Sequence, residues 1–330
     1  MSRIKWVALI AVVLLVGFAY VEGATLIKSI RILNGMFSNA ESSYFQVSTP
    51  EVIVLDNQTK LYIFKPASNE KHPAMIFSLG LWENGTDPRL QKPVETLVNN
   101  GFVVELVESN DTASGYLTNN SVNSLVKGFT YMENQDYVQK DKIGFFGISV
   151  GASVAYVASA NPGIRDDVLF IFWLGGYYDG MEYVTDVFSD STVHNGKIIE
   201  YHADQKVKNA LLTMGIIDEE TAGRLAPTKD REEIRALLES SSAIKERISA
   251  ISPSNYEVEV KIFAVHDVND SYVPFTQSIR LVEEREVDAH VQTELVRHAV
   301  PKVDVELFQF LKEYVKLVFL TNGVLKLTEN

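Results

Sequence analysis

Several features are missing from this sequence of 330 residues, beginning with cysteine, of which it has none. No disulfide can form, and zinc sites built on thiolates are excluded. The sequence also has no His-Glu-x-x-His pair, no Gly-x-x-x-x-Gly-Lys loop and no Gly-x-Gly-x-x-Gly after a strand, so it implies no metal ion and no cofactor. A net charge of −13, with no basic stripe to offset it, argues against a nucleic-acid partner.

Apolar residues make up 46% of the chain, which is enough to bury one large core. Apolar runs of strand length alternate with helical periodicity, and this predicts an α/β domain over residues 41–330 with a mostly parallel sheet and helices on both faces. Residues 175–253 are mainly helical and do not fit the sheet, so we predict that they form an inserted helical cap. The predicted strands cover 51–56, 60–65, 73–78, 102–108, 143–149, 168–174, 258–265 and 289–296, and the predicted helices 88–99, 120–138, 150–160, 274–285 and 302–318.

A Gly-x-Ser-x-Gly motif with Ser149 at its centre follows an apolar strand and leads into a helix rich in small residues. A serine on so tight a turn needs a strained backbone, and Gly147 and Gly151 leave room where the chain passes close by. This context predicts that Ser149 is presented at the edge of the sheet as a nucleophile. The amide of Val150, at the start of the helix, is the first candidate to stabilise an oxyanion.

A serine hydroxyl is a weak nucleophile at neutral pH, so it needs an imidazole base and a carboxylate that orients the imidazole. Both residue types occur downstream. A buried strand is followed by an acidic loop that contains Asp270, and the predicted strand at 289–296 ends just before His298. We predict His298 as the base and Asp270 as the orienting acid.

The order of serine, acid and histidine resembles that of the α/β-hydrolase superfamily. The resemblance is closest to the dienelactone-hydrolase-like and prolyl-oligopeptidase-like branch, in which a strand ending in His-Gly-x-x-Asp-x-x-Val-Pro carries the acid. Here that stretch reads His266-Asp-Val-Asn-Asp-Ser-Tyr-Val-Pro274. Asp267 replaces the usual glycine and is therefore a second candidate acid. Some relatives place the acid after an earlier strand, which would make Asp179 a third.

The resemblance covers roughly residues 50–318 and implies an α/β-hydrolase fold. It also implies a second oxyanion donor in the loop after the strand at 73–78, where relatives often carry His-Gly or Gly-Gly and this chain carries Leu79-Gly80-Leu81-Trp82. The amide of Gly80 or Leu81 would serve. In relatives, insertions such as the one at 175–253 lie over the catalytic edge of the sheet and shape the pocket.

Residues 1–40 are predicted to form a separate membrane anchor or signal segment. An uncharged apolar run from Trp6 to Val21 would be about 24 Å long as a helix, a little short of a typical hydrocarbon core. Arg3 and Lys5 before the run favour a cytoplasmic start, which would place the main domain outside the cytoplasm. The alternative is a secreted protein, since the run also resembles a signal peptide with a poor cleavage site.

Together these features predict a membrane-tethered serine hydrolase that cleaves a carboxylic ester through Ser149, His298 and Asp270. The expected substrate is a small-molecule ester or a short peptide. Two alternatives stay open: a small serine peptidase of the oligopeptidase or aminopeptidase type, and a non-catalytic binding protein that retains the fold.

Overall fold

The computed structural model describes residues 23–37, 49–213, 215–298, 300–302 and 304–329. Its strands are β1 (Glu51–Val54), β2 (Thr59–Phe64), β3 (His72–Ser78), β4 (Val103–Ser109), β5 (Val138–Ile148), β6 (Val168–Leu174), β7 (Ser191–His194), β8 (Lys197–Glu200), β9 (Lys261–Asp267), β10 (Ala289–Thr293), β11 (Val296–Arg297) and β12 (Val300–Pro301). Its helices are α1 (residues 23–37), α2 (Pro88–Asn99), α3 (Asn110–Ala113), α4 (Asn119–Glu133), α5 (Val150–Ser159), α6 (Gly180–Ser189), α7 (Gln205–Thr213), α8 (Glu219–Leu225), α9 (Arg231–Ser240), α10 (Ser242–Ala250), α11 (Thr276–Glu284) and α12 (Leu307–Glu329).

Eight strands form the central sheet, in the order β1-β2-β4-β3-β5-β6-β9-β10. The six strands from β4 to β10 in this order are parallel, and β2 pairs antiparallel with both β4 and β1. Crossovers between parallel strands must lie over the faces of the sheet, and here helices cover both faces. The predicted α/β class, with a mostly parallel sheet between helices, is confirmed.

Two apolar clusters fill the spaces on either side of the sheet. On one side α4, α5 and the helices between β6 and β9 pack around side chains that include Phe129 and Trp173. On the other side α1, α2 and α12 pack around a second cluster. There, Phe77, Phe146 and Phe172 stack in a row across three neighbouring strands, with 4.6 Å between the centroids of adjacent rings.

The chain between β6 and β9 forms α6 to α10 and the β7–β8 hairpin, and it adds no strand to the central sheet. Ion pairs connect two of its helices, α6 and α9. Arg231 on α9 pairs with Asp186 at 2.8 Å and with Glu182 at 3.1 Å, both on α6. Asp186 is fully buried, and a buried carboxylate that lost its cation would be strongly destabilising. These ion pairs therefore hold α9 in place on α6.

Two elements near the end of the chain differ from the prediction. β10 ends at Thr293, so His298 does not follow that strand directly. It lies in the turn of the small β11–β12 hairpin. The chain leaves the sheet early because the Thr293 hydroxyl accepts a hydrogen bond from the Leu295 amide at 3.1 Å, which turns the backbone. α12 also continues past 318 to Glu329, and Gly323 brings it close to Phe263 of β9.

Residues 23–37, which the sequence analysis assigned to the N-terminal segment, form α1 and pack on the main domain. Ile32 and Leu33 are buried in the same cluster as α2 and α12. No helix among the described residues is both long enough and apolar enough to cross a bilayer. The apolar run from Trp6 to Val21 lies outside the described residues.

Candidate active site

The turn between β5 and α5 holds Ser149 in a strained backbone conformation. Its φ is 54° and its ψ is −132°, in the region of positive φ that side chains disfavour. The Ser149 amide donates to the Leu174 carbonyl at 2.8 Å, and its carbonyl accepts from the Ala152 amide at 2.9 Å. The backbone on both sides of the serine is thereby fixed, and its side chain lines a pocket.

The two glycines of the motif lie where the chain has no room for a side chain. A Cβ at Gly147 would lie 2.3 Å from the Cα of Ala152, and a Cβ at Gly151 would lie 2.2 Å from the carbonyl oxygen of Ser78. Real Cβ atoms do not approach backbone atoms so closely. The close packing of α5 on β3 and β5 therefore depends on both glycines.

Asp270 and His298 form a direct hydrogen-bonded pair. The imidazole Nδ1 lies 2.7 Å from Asp270 Oδ2, and the amides of Tyr272 and Val273 donate to Oδ1 at 2.7 and 3.1 Å. Burial would raise the pKa of Asp270, but the hydrogen bond from His298, the electrostatic influence of the His298 and His266 rings and the hydrogen bond from the Tyr272 amide outweigh burial and hold the pKa below its ordinary value. Asp270 is thus an ionised acceptor, and the His298 proton lies on Nδ1.

The other two candidate acids have structural contacts. Asp267 accepts from the backbone amides of His298 at 3.1 Å and Asn269 at 2.9 Å, so it holds the loop and does not touch the ring. Asp179 caps α6 by accepting from the Glu182 amide at 3.0 Å. Of the three, Asp270 is the acid that the structure places on the imidazole.

The imidazole of His298 is held from two directions. Tyr272 stacks on it with 4.7 Å between ring centroids, and Asp270 binds its Nδ1. His298 itself has a positive φ of 55°. These contacts leave Nε2 as the nitrogen free to take a proton. No hydrogen bond joins Ser149 to His298 in the described part of the chain, but both line one pocket, and such bonds often form only when substrate is bound.

His266 is fully buried and lies next to Asp270, on which it packs. Its Nε2 lies 2.9 Å from the Val273 carbonyl and 3.7 Å from Asp270 Oδ2. Because a carbonyl can only accept, Nε2 carries the proton. Burial lowers the pKa of His266, so the ring is neutral. It is a structural residue, in agreement with its position just inside the end of β9.

The three backbone amides expected to bind an oxyanion differ in whether they already donate a hydrogen bond. The Val150 amide, first in α5, has no acceptor among the described residues. The Gly80 amide donates to Glu83 Oε2 at 2.7 Å, whereas the Leu81 amide has no acceptor in the part of the chain that the structure describes. Of the two candidates after β3, Leu81 is therefore the one with an available N–H.

Sequence reasoning missed Glu83, whose carboxylate lies in the wall of the pocket. Besides Gly80 it contacts Arg89, whose Nη2 lies 3.1 Å from Glu83 Oε1. Burial raises the pKa of Glu83, and the Gly80 amide and the charge of Arg89 act in the opposite direction. Nothing in the local pattern signalled this contact, because it depends on how the loop after β3 folds back on itself.

The pocket has a volume of about 640 Å³, which suits a small molecule or a few amino-acid residues. Its walls come from the turn at Ser149, the loops after β3 and β9, the β11–β12 hairpin, and the helices α1, α2, α6 and α7. Of the five non-glycine residues with positive φ in the described chain, Trp82, Ser149 and His298 line this pocket. Backbone strain of this kind clusters at functional sites. No cluster of three possible metal ligands occurs among the described residues.

No protein-family model matches the sequence, and no curated protein matches it. Solved structures do match. Pyrococcus horikoshii acylaminoacyl peptidase aligns with a TM-score of 0.58 and 14% identity, over 88% of this chain and 43% of its own. Puromycin hydrolase aligns with a TM-score of 0.55 and 14% identity, over 88% and 41%. Anabaena variabilis dienelactone hydrolase aligns with a TM-score of 0.50 and 15% identity, over 86% and 97%.

At these identities the comparison shows the fold alone. The chain has the α/β-hydrolase fold that its motifs predicted. It spans about two fifths of the length of the acylaminoacyl peptidase and of puromycin hydrolase, and nearly all of the dienelactone hydrolase.

Replacing Gly151 with alanine should destabilise the protein by about 1–3 kcal/mol, because the new Cβ would overpack α5 against β3. Urea unfolding followed by circular dichroism measures the change. The control is Gly223→Ala on α8, where a Cβ would meet nothing within 4 Å and alanine should stabilise the helix by about 0.5–1 kcal/mol. Equal stability of the two variants would contradict the close approach at the turn.

The pairing of His298 with Asp270 predicts a far-downfield imidazole N–H proton in the NMR spectrum. Asp270→Asn should abolish or strongly shift this resonance, because it removes the anionic acceptor. Asp267→Asn should retain it, since Asp267 touches only backbone amides. His298→Gln assigns the signal. A resonance lost in the Asp267 variant and kept in the Asp270 variant would reverse the assignment of the acid.

Proposed function

We propose that this protein is a serine hydrolase that cleaves a carboxylic ester through an acyl-enzyme intermediate. The observation that carries the proposal is the shared pocket of the strained Ser149 and the His298–Asp270 pair. Each part has a physical role in acyl transfer, and backbone strain at the serine is hard to explain without one. The likeness of the fold to hydrolases of several kinds supports the same class.

In the proposed reaction Ser149 Oγ attacks the ester carbonyl while His298 Nε2 takes its proton. The oxyanion of the tetrahedral intermediate accepts hydrogen bonds from the amides of Val150 and Leu81. Collapse of the intermediate breaks the carbon–oxygen bond, and the departing alcohol receives the proton from His298. Water then attacks the acyl-enzyme with His298 as base, releasing the acid and restoring Ser149.

Asp270 holds the imidazole in the tautomer that leaves Nε2 free, and it stabilises the imidazolium that forms during each half-reaction. Because the pKa of Asp270 is lowered, the carboxylate remains charged until the pH falls below its ordinary range. Loss of activity in mild acid would therefore arise elsewhere than from protonation of Asp270.

The pocket favours a substrate with an apolar part. Its apolar lining residues include some from α1, the loop after β3, α7 and the β11–β12 hairpin, such as Phe37, Leu81, Val207, Leu211 and Pro301. We propose that the insertion acts as a cap, since α7 supplies one wall. A peptide bond is the second candidate substrate, favoured by the presence of an acylaminoacyl peptidase among the similar structures.

We propose in addition that residues 1–22 tether the enzyme to a membrane, with the catalytic domain outside the cytoplasm.

A fluorophosphonate probe should label the purified full-length protein in detergent, and Ser149→Ala should abolish labelling. His298→Ala and Asp270→Asn should lower kcat/KM for nitrophenyl esters by about a thousandfold or more. His202→Ala, which changes an exposed histidine, is the matched control and should retain full activity. A folded wild-type protein that neither labels nor turns over any ester would favour the binding-protein alternative.

Ester and amide specificity are separated by comparing a nitrophenyl ester with the nitroanilide of the same acyl group. Ester cleavage with negligible cleavage of the anilide supports the proposal. A kcat/KM for the anilide equal to or above that for the ester would identify a peptidase instead.

Glu83 should act on catalysis by holding the loop that presents the Leu81 amide. Glu83→Ala removes the acceptor for the Gly80 amide, and we expect kcat for an ester to fall by roughly ten- to a hundredfold with a smaller change in KM, since the oxyanion forms only in the transition state. Glu83→Gln keeps an acceptor oxygen and should retain most of the activity. Wild-type kcat in the alanine variant would show that the loop holds its shape without Glu83.

A further inference from the structure

The outer side of α12 carries a continuous row of exposed apolar side chains. Phe308, Leu311, Val315 and Phe319 are 74%, 53%, 50% and 53% exposed. At 100° per residue these four positions fall within an arc of about 80° on the helix. We call this row the apolar stripe. Single exposed apolar residues are ordinary on protein surfaces, but a continuous row on one helix marks a contact surface.

α1 lies beside α12 and widens the exposed surface. The Tyr314 hydroxyl donates to Asn34 Oδ1 at 2.8 Å and to the Ile30 carbonyl at 3.2 Å. Both helices cover the same face of the sheet, so their outer sides point the same way. α1 adds Ile27, which is 59% exposed, and Ile30 at 38%. Half of the large, exposed apolar residues of the described chain lie on these two helices.

Basic side chains border this surface, although the protein as a whole is acidic. Lys312 and Lys316 lie along one edge of the apolar stripe, and Arg31 lies beside Ile27 and Ile30 on α1. Two of the nearby acids are paired with lysines: Glu313 with Lys316 at 2.8 Å, and Glu329 with Lys28 at 2.8 Å. Asp304 and Glu306, just before α12, are exposed acids at the start of the apolar stripe. Arg31 and Lys312 form no ion pair with any described residue. In a chain of net charge −13, these two unpaired cations suit the described part of this face to an anionic surface.

The sequence before α1 indicates which anionic surface that is. The uncharged run from Trp6 to Val21 ends two residues before the described part of α1, which starts at residue 23. If this run enters lipid, as proposed above, so short a connection would keep α1 next to the bilayer, and the inference rests on that part of the proposed function. We propose that the α1–α12 face, formed by the apolar stripe with Ile27 and Ile30, lies on the surface of an anionic lipid bilayer. A second copy of the chain is a poorer partner, because a symmetric contact would bring like charges together.

Site-specific labelling tests this contact in the full-length chain, whose lack of cysteine allows a single one to be introduced. Val315→Cys carries an environment-sensitive fluorophore on the apolar stripe. The control is Asn123→Cys, exposed on α4 on the opposite side of the sheet. With vesicles containing phosphatidylserine, emission from position 315 should shift to the blue and be quenched by nitroxide-labelled lipid. Emission from position 123 should do neither.

Other outcomes overturn the proposal. If the protein floats with vesicles and position 315 does not respond, residues before α1 bind the membrane alone. If position 315 shifts without vesicles, in proportion to protein concentration, a second copy covers the face. If the response is the same on vesicles of phosphatidylcholine alone, the positive charges play no part. Labelling leaves residues of the candidate active site untouched, so ester turnover reports on the proposed function separately.

Discussion

The close approach of α5 to β3 and β5 is the constraint on which the candidate site depends. The chain can turn from strand to helix within one residue only because Gly147 and Gly151 leave space for the backbone of Ala152 and Ser78. That turn holds Ser149 at positive φ and directs the N-terminal end of α5 toward the pocket that Ser149 lines. Ser149, the proposed nucleophile, and the Val150 amide are therefore positioned by one packing contact, and neither can move without the other.

The opposite side of the pocket depends on hydrogen bonds to carboxylates. Asp270 is held by two backbone amides and the imidazole, while Asp267 holds the backbone of His298. The two acids of the loop thus have different contacts: Asp270 binds the imidazole of His298, and Asp267 binds its backbone amide. Glu83 does the same for the loop after β3. A pocket that contains three strained backbone positions needs such supports, because each strained residue costs about 1–3 kcal/mol.

Short sequence patterns predicted those parts of the structure that depend only on residues close together in the chain. The glycines around Ser149 and the acid loop after β9 are read from a few neighbouring residues, and apolar periodicity located every strand of the central sheet. The contact of Glu83 with Gly80 and the β11–β12 hairpin at His298 were not predicted, because both depend on how a loop folds back. The packing of α1 was missed for a related reason. Its partner Tyr314 is 280 residues away from Asn34. Amphipathic periodicity shows which side of a helix is apolar, but it does not show which part of the protein that side packs against.

The pairing of α1 with α12 also affects how the pocket is completed during synthesis. Met36 and Phe37, at the end of α1, form part of the pocket wall, and Phe37 packs edge-on against Phe310 of α12 at 6.1 Å. At ribosomal rates, the 280 residues between Asn34 and Tyr314 take roughly 15–55 s to make. During that time α1 has no partner on its α12 side and the pocket lacks a wall. The α1 wall of the pocket therefore reaches its final packing only after α12 has been made.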